Sequence, residues 1–68
     1  MPLLTRLQDP VEAHLLREAL EAAGIAAQVR DEFAAVMAGG VSVWVAEEAD
    51  VPAARAVLEE FRTEPPGS

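Results

Sequence analysis

Trp44 is the only tryptophan in the 68-residue chain, and it stands in the alternating run Val41-Ser42-Val43-Trp44-Val45-Ala46. In an extended strand, successive side chains point to opposite faces. If Val41, Val43 and Val45 face a core, Ser42, Trp44 and Ala46 face away from it. The same rule sends Leu4 and Arg6 of the run Leu3–Leu7, and Gln28 and Arg30 of the run Ile25–Arg30, to Trp44's side. An indole flanked by two guanidinium groups can stack with them and bury apolar area on a partner. Trp44, Arg6 and Arg30, with Leu4 and Gln28 beside them, are therefore the first candidate partner-binding surface. The plainer reading is an indole shielded by arginine stems. Base stacking is disfavoured, because RNA-binding sheets use several rings and this chain carries a net charge of −7.

A second candidate lies in the loop between those runs. Phe33, Val36 and Met37 are spaced i, i+3 and i+4, so one turn of helix would gather them on one side. They either cap the end of the core or form an apolar knob that docks a partner, a role to which methionine adapts well. Gly39 and Gly40 follow. Their backbone N–H groups could meet an anion, although a glycine pair before a strand more often relieves backbone crowding.

Catalytic chemistry has little to draw on. There is no cysteine, tyrosine or lysine, and Thr5, Ser42, Thr63 and Ser68 are the only side-chain hydroxyls. His14 is the sole histidine and falls on the polar face of a helix, with no hydroxyl placed beside it and no second ligand at metal-binding spacing. Glu47, Glu48 and Asp50 cluster, but a helix N-terminus explains acids there. No enzyme, metal site or cofactor is expected.

The elements that must position these residues follow from the pattern. Asp9-Pro10-Val11-Glu12 reads as a helix start, with Asp9 as N-cap, Pro10 at the first helical position and Glu12 in the first turn. Val11, Leu15, Leu16, Ala19, Leu20 and Ala23 then form an apolar stripe, and Gly24 offers the left-handed residue that ends a helix. A second helix starts at Glu47–Asp50, tolerates Pro52 in its first turn, and shows a stripe of Val51, Ala54, Val57, Leu58 and Phe61. The order is β-α-β-β-α. The strongest strand, Val41–Ala46, is expected between the other two and antiparallel to both, giving sheet order 1-3-2. Two helices on one face of a three-stranded antiparallel sheet make an α+β open-faced sandwich, the front part of a ferredoxin-like fold.

The segment Val11–Ile25, read as EA-x-LL-x-x-x-L-x-x-x-GI, is similar to that of a small prokaryotic family described as "putative signal transducing protein". Val43-Trp44-Val45-Ala46-Glu47-Glu48 and the alanine-rich Ala53–Phe61 resemble its second block, and together these stretches cover most of residues 3–61. The resemblance implies a fold similar to the PII (GlnB-like) signalling proteins, which sense nucleotides and metabolites and regulate partners through a long loop between their second and third strands. The corresponding segment here, residues 32–40, is short and lacks the lysines and arginines with which PII proteins hold phosphate. Nucleotide binding therefore does not follow from the fold.

Composition bounds the rest. Hydrophobic residues make up 51% of the chain and charged residues 25%, which is globular. Fourteen alanines thin the core, and no disulfide can staple it. A homodimer is therefore expected to supply missing burial. No apolar run reaches the roughly 20 residues of a membrane helix, and no secretory leader is evident at the N-terminus. A cytoplasmic protein with neither nucleic-acid nor membrane partners is expected. Residues 1–62 form one domain, and 63–68, with Pro65-Pro66-Gly67, read as a disordered tail. The function that fits is a non-catalytic regulatory module docking a protein partner or itself. The alternatives are a PII-like sensor of a nucleotide or small metabolite, and a free-standing assembly module with no ligand.

Overall fold

Asp9 opens the first helix as the sequence predicts. In the computed structural model, which describes residues 1–30 and 40–63, its carboxylate accepts a 2.9 Å hydrogen bond from the Val11 backbone N–H. Pro10 follows at a position where no N–H is needed, and helix α1 runs Pro10–Ala22. Its end is equally local. Gly24 takes φ = 82°, its N–H donates to the Glu21 carbonyl, and the Ile25 N–H donates to the Leu20 carbonyl, both at 2.9 Å. These two bonds satisfy carbonyls that the last turn leaves without partners, and they swing Ile25 back into the core beside Leu20.

Three strands complete the sheet: β1 (Leu3–Leu7), β2 (Ala27–Arg30) and β3 (Val41–Val45). Their order is β1-β3-β2, with β3 antiparallel to both neighbours, as expected from its β-branched alternation. A 3-10 turn over Glu48–Asp50 leads into helix α2 (Val51–Thr63). Glu47, the N-cap of that turn, makes no side-chain cap bond to it, and Glu48 and Asp50 stand in its first turn. The helix continues one residue into the segment read as tail, and the remainder of that segment, 64–68, lies outside the described residues. The topology is consistent with the ferredoxin-like arrangement, in an α+β fold. Among the described residues, no helix is long and apolar enough to cross a membrane.

The core lies between sheet and helices. Val41, Val43 and Val45 of β3 are buried against Ala13, Leu16 and Leu20 of α1 and Ala54 and Leu58 of α2, with Ile25 closing one end. Val51, Val57 and Phe61 are half-buried beside them, so the second helix presents the face its sequence predicts. The first helix is turned relative to expectation. Val11 is 63% exposed and Leu15 38%, whereas Ala13 is fully buried. The expected stripe held the apolar residues of one broad arc. Leu16 and Leu20, at one edge of that arc, are buried together with Ala13 just beyond it, where a small side chain lets the helix pack against its neighbours.

Candidate functional site

The sheet face turned away from the helices is built by register. Arg6 of β1 and Arg30 of β2 both pair with Ser42 of β3, so a row Arg6–Ser42–Arg30 crosses the sheet. The next row is Leu3–Trp44–Gln28. Adjacent strands lie about 4.8 Å apart, which sets the two arginine backbones roughly 10 Å from each other across Ser42.

Within this frame the indole lies back along its own strand. Trp44 Nε1–H donates to Ser42 Oγ at 2.8 Å, and the Ser42 hydroxyl lies 3.4 Å from the Arg30 carbonyl oxygen, to which it donates. The ring thereby roofs Ser42, which is only 7% exposed although no helix covers that side. Above the ring, the Arg30 guanidinium carbon sits 5.0 Å from the ring centroid. That is cation–π distance, an attraction worth about 0.5–1 kcal/mol at an exposed site. Ser42, Trp44 and Arg30 thus form a fixed stack in which the tryptophan's polar edge is satisfied inward and its apolar surface stays partly open.

Of the residues singled out from sequence, Arg6, Gln28, Arg30 and Trp44 are brought together on this face. Leu4 is not. Strict alternation places it beside Trp44, but β1 shifts register between Leu3 and Thr5, spending two residues against one on β3. An extra residue of this kind resets which side chains face which way. Leu4 consequently packs against the core cluster, and Leu3, 41% exposed, stands opposite Trp44 in its place. Leu3 and the bonding role of Ser42 are what sequence reasoning missed. The Ser42–Trp44 spacing of two was a usable signal for a same-face contact, whereas the register shift in β1 has none.

Gly40 is buried, and a Cβ on it would come within 3.1 Å of the Leu7 carbonyl oxygen and 3.6 Å of Arg6 Cβ. Close approach of β3's start to the end of β1 accounts for a glycine there. Phe33, Val36, Met37 and Gly39, the rest of the loop candidate, lie outside the described residues. His14 is exposed on α1, and no group of three or more His, Cys, Asp or Glu side chains able to hold a metal occurs among the described residues. On the opposite side of the molecule, Ala19, Ala22 and Ala23 leave an open groove against Val57, Glu60 and Phe61, about 430 Å³ in volume. Its only ionisable side chain is Glu60.

Against known proteins, residues 1–62 match the model of a family described as "Putative prokaryotic signal transducing protein". No curated protein and no solved structure matches the chain.

Proposed function

The chain belongs to this prokaryotic signal-transducing family, and on that premise we propose that it is a non-catalytic module that transmits its signal by docking a protein partner on the open sheet face. The single observation that carries the reading is the Ser42–Trp44–Arg30 stack. A lone tryptophan in a small, thinly filled domain would ordinarily be spent on the core, where it buries more area than any other side chain. Here valines fill the core positions of β3 and the indole lies on the side the helices leave uncovered. It is held there in one orientation by a hydrogen bond beneath and a guanidinium above. A rigid, amphipathic, half-exposed aromatic beside arginines is the composition that concentrates binding energy at protein interfaces. Preorganisation adds to affinity, because the side chain has little rotamer freedom left to lose on contact.

The supporting test maps the contact directly. A partner is captured from the source cell and purified, then titrated into isotope-labelled chain while backbone and indole amide signals are followed. The expected result is perturbation centred on Arg6, Gln28, Ser42, Trp44 and the Trp44 indole N–H. Perturbation confined to α1 and α2, with the indole signal unmoved, would reject the sheet face as the docking site.

A further inference from the structure

Among the described residues, charge is divided by layer. The three strands contain no carboxylate, and their only charged side chains are Arg6 and Arg30, both exposed on the open face. Every carboxylate among the described residues lies instead on α1 and its cap, on the 3-10 turn and its N-cap, or on α2. Two of the five arginines therefore form a cationic row on the sheet of a chain whose net charge is −7. Resting on the docking reading above, we propose that the partner element received by this face is an acidic protein segment, with carboxylates that reach Arg6 and Arg30 and an apolar side chain laid on Trp44.

Two physical arguments select that occupant. Guanidinium groups pair with carboxylates through parallel N–H donors, and two arginines whose backbones stand about 10 Å apart favour a segment with two acids over a single ion. Like-charge contact excludes basic segments from the row and leaves acidic ones, so the arrangement sets specificity as well as attraction. Nucleic acid would satisfy the same arginines through phosphate. Its regular charge would also run past the acidic layer of this small molecule, and a single indole offers only one stacking platform. A second copy brings its whole charge of −7 with it, which opposes self-docking at low ionic strength, whereas a short segment brings only the carboxylates that the two arginines receive.

The probe is a short peptide with two glutamates flanking a leucine, acetyl-Glu-Gly-Leu-Gly-Glu-amide, at low ionic strength, with the sole tryptophan as reporter. Saturable change in Trp44 emission is expected. It should weaken at least tenfold in the Arg6→Glu/Arg30→Glu double variant, whose folding is checked by its thermal midpoint, and should also weaken steeply with added salt, since screening at physiological ionic strength acts over about 8 Å. The Arg6→Gln/Arg30→Gln variant, which removes charge without reversing it, should fall between. Absence of a saturable change, or equal binding by the double variant, would overturn the acidic-segment assignment. Tighter binding of a short thymidylate of the same charge would overturn it in favour of nucleic acid. The docking reading fails separately, if the purified partner binds Trp44→Ala as well as wild type. Partner binding that needs Trp44 but ignores both arginine variants would remove only the acidic segment.

Discussion

Ser42→Ala tests whether the tryptophan is held or merely resting on the sheet. The substitution removes Oγ, which accepts the 2.8 Å bond from Trp44 Nε1 and makes the 3.4 Å contact to the Arg30 carbonyl. The second contact is long for an O–H donor and contributes little. The first is a well-formed neutral hydrogen bond, with a net worth of about 1 kcal/mol. A fully buried orphan N–H would add a desolvation penalty, but Trp44 is only half-buried and its indole can turn to water. The expected loss is therefore about 1 kcal/mol, which for a domain of this size lowers Tm by roughly 4–8 °C. Urea unfolding followed by Trp44 emission reads both consequences together, because no other tryptophan contributes. The folded-state emission should shift to the red as the ring leaves Ser42, and the midpoint should fall without a change in slope. Ser42→Thr, which keeps the hydroxyl, should retain most of the wild-type emission. A Ser42→Ala protein with unchanged midpoint and unchanged folded-state emission would refute the stack as a fixed element.

Other substitutions check the frame that carries it. Gly24→Ala places a side chain at φ = 82°, and although nothing lies within 4 Å of the added Cβ, the backbone conformation itself costs about 1–2 kcal/mol, seen as a lower thermal midpoint. A midpoint equal to wild type would show that the turn relaxes freely. Leu16→Ala empties a fully buried position and should cost about 2–5 kcal/mol, enough to leave a small domain partly unfolded by circular dichroism. Val11→Ala, at a position 63% exposed, should stay within about 0.5 kcal/mol of wild type. A large effect at Val11 would restore the broader stripe and contradict the observed rotation of α1. Asp9→Ala removes the N-cap acceptor and should cost about 1 kcal/mol, again read from the midpoint.

The parts of this fold that were legible in the sequence are those fixed by local chemistry. Asp9-Pro10 and Gly24 bound α1 because capping and left-handed backbone are properties of single residues. The alternation in Val41–Val45 specifies a central strand because period two leaves no other way to bury the valines. The parts that were not legible depend on neighbours distant in sequence. Which arc of α1 is buried was decided by how the helix packs on the sheet, and apolar residues that reach from Val11 round to Ala13 do not encode that choice. Leu4 does not share the open face for a similar reason. A single register shift in β1 exchanges its facing with that of Leu3, and Leu3-Leu4 reads identically either way. Arg6, which lies beyond the shift, and Gln28 and Arg30, on a strand without one, share Trp44's face as alternation predicts because they pair regularly with β3.

The central claim is that the open sheet face, through Trp44, docks a protein partner. Its most direct measurement is the affinity of the purified partner for wild type and for Trp44→Ala, by titration calorimetry, with Ala22→Glu on the helical side as control. Both variants are first required to melt cooperatively. The account predicts at least a tenfold loss for Trp44→Ala, about 1.4 kcal/mol, and unchanged affinity for Ala22→Glu. Wild-type affinity in Trp44→Ala, or a loss confined to Ala22→Glu, would contradict it and move the docking surface to the helices.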